Sequence, residues 1–278
     1  MTRLLHHRTG TLTLGGRTLV MGVVNVTPDS FADGGVHFRA EDAVAGALRM
    51  AAEGADILDI GAESTRPGHT PISAEEEWAR LEPVLESLAV SGIPLPPISI
   101  DTTKGEVARR ALRAGATIVN DIWGFQRDRD LPAVAAEFGA AAVLMHNRES
   151  IDATIDIADD MLRFFERSLE TARRAGVKDE RIVLDPGIGF GKSHAQQFQA
   201  IAALPRIKAL GFPVLLGVSR KSFIGRLFDP QPPAGERLPG TVAANAIGVM
   251  AGADIVRVHD VAAHVQAMGV ADRLRRAA

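Results

Sequence analysis

The chain has 278 residues, 46% hydrophobic and 23% charged, with 27 Gly, 15 Pro, two Trp and neither Cys nor Tyr. That apolar fraction with a net charge of only −3 excludes disorder, and the lack of Cys excludes disulfides and thiolate zinc sites. The balance of 31 basic against 34 acidic side chains gives no overall field for nucleic acid, and no apolar run reaches the roughly 18 residues of a membrane span.

At the N-terminus, Arg3 and Arg8 occur without an apolar signal-peptide core, so a cytoplasmic location is expected. Residues 12–14 and 18–20 flank Gly15-Gly16 and predict a hairpin within an extension of residues 1–18, placed to plug the bottom of the following fold. Beyond it, short β-branched runs alternate with Ala-rich helical stretches. Strands are expected over 19–26, 57–61, 98–101, 117–122, 142–146, 182–185, 214–218 and 255–258. Helices are expected over 43–53, 74–89, 104–114, 131–138, 157–175, 196–204, 240–250 and 261–275, several ending in Gly as a C-cap requires. Continuous apolar strands suit a sheet buried on both faces. Eight strict repeats predict a single-domain α/β fold over 1–278, a (β/α)₈ TIM barrel, rather than a doubly wound sheet.

In such a barrel the chemistry belongs to the loops at the C-terminal ends of the strands, and the polar residues collect there. Asp101, Asn120 and Asp185 end otherwise apolar strands and suit the paired N–H donors of a flat heterocycle. Their bland alternative is helix capping, for which Asp101 before Thr102-Thr103-Lys104 is the best candidate. Arg66, Arg220, Lys221, Arg257 and His259 lie at the ends of strands 2, 7 and 8 and predict phosphate or pyrophosphate binding. A donor role is favoured for His259. His6, His7, His37, His69, His194 and His264 lack metal-site spacing. The run Gly187-Ile188-Gly189-Phe190-Gly191-Lys192-Ser193 is close to a P-loop but fails it, because the first Gly of that pattern falls on Pro186.

Five motifs in order along the chain carry a resemblance. They are Asn25-Val26-Thr27-Pro28-Asp29-Ser30-Phe31 with Asp33-Gly34-Gly35; Glu63-Ser64-Thr65-Arg66-Pro67-Gly68; Asp185-Pro186-Gly187 with Gly189-Phe190-Gly191-Lys192; Ser219-Arg220-Lys221; and Arg257-Val258-His259-Asp260. Together they resemble the dihydropteroate synthase family of pterin-binding enzymes. The resemblance implies a transferase of folate biosynthesis that joins 6-hydroxymethyl-7,8-dihydropterin pyrophosphate to 4-aminobenzoate, with sulfonamides as inhibitors. It implies pterin contacts from Asp101, Asn120, Asp185 and Lys221, and pyrophosphate contacts from Asn25, Thr65, Arg66, Arg257 and His259. Asn25 would also ligate Mg²⁺. Phe31, Pro67, Phe190, Lys221 and Ser222 match the aminobenzoate pocket. Asp101, Asp185, Lys221, Arg257 and His259 are the residues expected to carry catalysis, and a homodimer is implied.

Two positions depart from the family pattern. Ala62 stands where a second Gly is usual, and Asn147 stands where a Met commonly follows the His. Ala62 is expected to stiffen loop 2, and Asn147 to alter the edge of the pterin pocket. Two other classes compete with a synthase: a pterin-binding methyltransferase domain, and a pterin-binding paralogue without turnover. Pyrophosphate release separates all three.

Overall fold

The computed structural model describes residues 3–26, 36–64 and 70–277. Two strands, β1 (Arg3–His7) and β2 (Gly10–Leu14), form an antiparallel hairpin. Eight parallel strands follow: β3 (Leu19–Asn25), β4 (Ile57–Gly61), β5 (Ile98–Asp101), β6 (Ile118–Asp121), β7 (Ala141–Met145), β8 (Ile182–Asp185), β9 (Leu215–Leu216) and β10 (Ile255–Val258). They form one sheet in the order β8-β7-β6-β5-β4-β3-β10-β9. A bridge between Leu184 and Val214 joins β8 to the start of β9 and closes the barrel.

The helices are α1 (Val36–Ala52), α2 (Ala74–Ala89), α3 (Gly105–Arg113), α4 (Leu131–Phe138), α5 (Ile157–Arg174), α6 (His194–Ala202), α7 (Leu204–Lys208), α8 (Ser222–Gly225), α9 (Leu238–Met250) and α10 (Val261–Ala277). Local chemistry explains their starts. Ser73 and Glu76 close a capping box on α2, Asp156 accepts the Ala158 and Asp159 N–H groups of α5, and Ser193 with Gln196 caps α6. The six glycines expected to end helices, Gly54, Gly92, Gly115, Gly139, Gly176 and Gly252, all have positive φ. No described helix is long and apolar enough to cross a membrane.

Alternation along each strand divides the core in two. Val20, Val24, Leu58, Ile60, Val119 and Leu144 face outward and pack beneath the helices. Leu19, Met21, Ile57, Ile118, Val143, Val183, Leu215 and Ile255 face inward, where Leu5 and Leu14 of the hairpin join them. The hairpin is therefore a plug, as expected, but its turn is not at Gly15-Gly16. It turns at Arg8-Thr9, between His7 and Gly10, while Gly15 to Arg17 links it to β3 and residues 19–20 already belong to the barrel. The Gly-Gly pair marked a connection rather than a hairpin turn.

Candidate active site

The inward positions change character one step along the strands. Ile57, Ile118, Val183 and Ile255 belong to the apolar interior layer. Two residues on, facing the same way, stand Asp59, Asn120, Asp185 and Arg257. A strand period of two thus converts an oily floor into a polar one, and Asp101 ends β5 beside Asn120 in register. At the matching position of the next strand, Gly217 leaves room: a Cβ there would lie 3.8 Å from Asp185 Oδ2 and 3.9 Å from Arg257 Cβ.

Arg257 is the centre of this layer. Its Nε donates to Asp59 Oδ2 at 2.5 Å and its Nη2 to Asp101 Oδ2 at 2.7 Å. Asn120 Nδ2 donates to the same Asp59 oxygen at 3.0 Å. Burial works against the Arg257 cation, yet the Asp59 and Asp101 carboxylates hold its pKa above the usual value. Burial raises Asp101; Arg257 opposes that shift and Asp59 adds to it. The capping alternative for Asp101 is overturned, because its carboxylate faces Arg257 and α3 has no side-chain cap.

Asp185 is also raised by burial, opposed by Lys221, by the Gly187 N–H that donates to its Oδ1 at 2.7 Å, and by Arg257. Lys221 is pushed down to about 8 by burial, with Asp185 opposing and Arg257 adding. Its Nζ donates to the Ile188 carbonyl and stands 4.8 Å above the centre of the Phe190 ring. Phe190 lines a cavity of about 640 Å³ at this end of the barrel, together with Asp101, Lys104, Trp123, Asn147 and Arg148. Ser222 starts α8 directly after Lys221 and is exposed. Ser219 Oγ accepts the His259 backbone N–H at 3.2 Å and lies 2.9 Å from His259 Nδ1. With the hydroxyl proton directed to Nδ1, the ring proton sits on Nε2, which suits a donor.

Of the expected residues, the structure gathers Asp101, Asn120, Asp185, Lys221 and Arg257 around one interior, with Phe190 and His259 at its mouth. Asn25 ends β3 opposite Gly61 with its side chain exposed. Thr65, Arg66, Phe31 and Pro67 lie outside the described residues. Arg220 is corrected: its Nε and Nη2 both grip the Asp260 carboxylate, which ties the loops after β9 and β10 together instead of offering a phosphate fork. Ala62 is wholly buried in the outer core. Asn147 Oδ1 accepts the Arg148 N–H at 2.7 Å, and both residues line the cavity. Asp59 was missed. Its signal was an acid at an inward position of a strand with no other charge, Ile57–Gly61.

Comparison with known proteins decides the family. The family described as "Pterin binding enzyme" matches residues 21–259. A dihydropteroate synthase of Clostridium beijerinckii is 46% identical over 264 residues, covering 95% of this chain and 96% of that relative. The chain belongs to the dihydropteroate synthase family of pterin-binding enzymes. Two solved members agree in fold. The enzyme of Clostridium difficile, determined in the presence of pteroic acid, superimposes with a TM-score of 0.89 at 44% identity, covering 94% of this chain and 98% of that one. The Yersinia pestis enzyme in a sulfonamide drug complex gives 0.88 at 40% identity, covering 98% and 99%.

Proposed function

We propose that this chain joins 6-hydroxymethyl-7,8-dihydropterin pyrophosphate to 4-aminobenzoate, releasing pyrophosphate and forming 7,8-dihydropteroate. The observation that carries this is the buried arrangement of Asp101, Asn120 and Asp185 around Arg257, with Lys221 over Phe190 beside it. The carboxylates and the Asn120 amide offer acceptors to the N–H edge of a pterin. The substitution is dissociative: the methylene C–O bond breaks with its electron pair leaving on pyrophosphate, and the amine lone pair then forms the C–N bond and sheds a proton. Positive charge that develops on the pterin lies against Asp101 and Asp185, while Arg257 and His259 meet the negative charge on the leaving group. An aniline nitrogen is neutral at pH 7 and needs no strong base.

Magnesium belongs to the same proposal. Among the described residues no group of three or more His, Cys, Asp or Glu is placed to hold a metal ion, whereas Asn25 offers an exposed, hard amide oxygen at the end of β3. One protein oxygen with the remaining positions filled by phosphate oxygens and water fits Mg²⁺, which would neutralise charge on the pyrophosphate when bound. Chelation is then expected to abolish turnover without lowering Tm. A second copy of the chain is proposed to cover the outer faces of α9 and α10, where Ile247, Met250, Val270 and Leu274 are exposed. Sedimentation of the wild type and of Val270→Glu checks it, a dimer and a weakened dimer being expected. A cytoplasmic location completes the proposal and is checked by fractionation.

The deciding experiment measures pyrophosphate and dihydropteroate formed from the two substrates by the wild type, Asp185→Asn, Lys221→Ala and Arg257→Ala. Each variant is expected to lose at least about 100-fold in kcat/KM. Near wild-type values in all three, or a methyl transfer without pyrophosphate release, would overturn the assignment.

A further inference from the structure

Lys192, whose motif failed as a P-loop, is only 2% exposed, and it does not reach toward the site. Its Nζ donates to the Gly187 carbonyl at 2.8 Å and the Phe190 carbonyl at 3.1 Å, and lies 2.7 Å from His146 Nδ1. An ammonium has three N–H donors, and all three are used. A donor at Nδ1 places the His146 ring proton on Nε2, which lies 3.1 Å from Asp160 Oδ2; the same oxygen takes Arg148 Nη1 at 2.7 Å. Burial, reinforced by Lys192, lowers His146 to about 3, so the ring stays neutral at working pH. Burial also lowers Lys192 to about 7, with Asp185 and Asp160 opposing and Lys221 and Arg148 adding.

The loop that Lys192 grips packs directly on the backbone after β7. A Cβ on Gly187, whose φ is +63°, would lie 1.9 Å from the His146 carbonyl oxygen, and one on Gly191 would lie 2.6 Å from the Arg148 oxygen. Only glycine permits that approach. Between the two gripped carbonyls sits Ile188, whose own carbonyl takes Lys221 Nζ, and Phe190 supplies the ring beneath the same ammonium.

We infer that Asp160, His146 and Lys192 form a positioning relay for the 4-aminobenzoate pocket, buried at His146 and Lys192 and part-exposed at Asp160, fixing the 187–191 loop so that Phe190 and the Ile188 carbonyl hold Lys221 in place. None of the three touches substrate. The relay rests on the synthase activity proposed above, but its position in the fold gives it a readout that needs no turnover.

The test compares Lys192→Met, His146→Leu and His146→Asn with the wild type. Asn keeps an acceptor near the position of Nδ1, whereas Leu removes it. Lys192→Met and His146→Leu are expected to raise KM for 4-aminobenzoate at least about 10-fold, with a smaller rise in KM for the pterin pyrophosphate because Lys221 also faces Asp185. They should also speed amide exchange at residues 188–191 at least about 10-fold, with His146→Asn near wild type in both measures. Equal rises in both KM values, or unchanged exchange in the loop, would overturn the relay. Should Lys192→Met fail to fold, the His146 pair decides. Should the wild type make no dihydropteroate, the activity proposal fails while the exchange measurement still judges the relay.

Discussion

Asp59 supports the site without being exposed to it, and replacing it by Asn isolates what its charge does. The carboxylate is wholly buried, and one oxygen serves both Arg257 Nε at 2.5 Å and Asn120 Nδ2 at 3.0 Å. Asn keeps the volume and an acceptor oxygen but removes the charge and leaves an amide N–H₂ in a dry interior. Hydrogen bonds to charged groups contribute about 1.5–3 kcal/mol, and removing one partner of a buried ion pair costs about 3–5 kcal/mol. Arg257 retains Asp101, which places the loss at the low end, about 2–3 kcal/mol. If Arg257 stabilises the departing pyrophosphate, that loss appears in the transition state as about 30- to 150-fold in kcat/KM, carried mainly by kcat. Initial rates with both substrates varied measure it, with urea denaturation as the control for folding. A double-mutant cycle with Asn120→Ala then shows how far the effect runs through Asn120, since residues sharing one hydrogen-bond acceptor couple by at least about 0.5 kcal/mol. A kcat/KM within about 3-fold of wild type would refute the reasoning, because Arg257 would then hold its catalytic position on Asp101 alone.

Lys221, lowered to about 8 by burial, carries its proton below that pH and loses it above. Thus kcat/KM should fall as pH rises through about 8, and Lys221→Arg should remove that limb; a flat wild-type profile to pH 9 would refute it. Leu14 is buried in the plug at the opposite end of the barrel. Leu14→Ala should cost about 2–4 kcal/mol and lower Tm by about 5–10 °C, with kcat/KM at 25 °C unchanged. A sulfonamide should raise the apparent KM for 4-aminobenzoate without changing kcat, and inhibition that excess 4-aminobenzoate fails to relieve would refute competition for the Phe190 pocket.

The barrel was legible because its signals are local. Four strand ranges, 57–61, 98–101, 182–185 and 255–258, emerge as expected, each a short, mainly apolar run with one charged residue at or past its midpoint. Strand β9 shrinks to Leu215–Leu216, with Val214 joined to Leu184 by a single bridge and the ladder ending before Gly217. The hairpin forms as expected, but its turn lies elsewhere, for the opposite reason. Arg8-Thr9 carries no turn signature, and the Gly15-Gly16 pair nearby does. Its two short strands are held by what lies above them, the inward residues of the barrel floor, and no local pattern records that.

The site divides along the same line. Polar residues at or one short of the strand ends, Asp101, Asn120, Asp185 and Arg257, stand out against apolar neighbours. Pairings between residues distant in sequence do not: Arg220 with Asp260 spans 40 positions, Lys192 with His146 spans 46, and Arg257 with Asp59 spans 198. This explains how a chain of net charge −3 serves an anionic substrate. Inside the barrel Asp59 and Asp101 are held by Arg257 and Asp185 faces Lys221, so opposite charges stand side by side and the interior is polarised locally. A polarised interior suits the charge-separating reaction proposed above, in which the carboxylates would face the ring that becomes a cation and the guanidinium the group that leaves with the electron pair. A uniformly basic mouth would bind pyrophosphate more tightly before and after the bond breaks, favouring retained product over turnover.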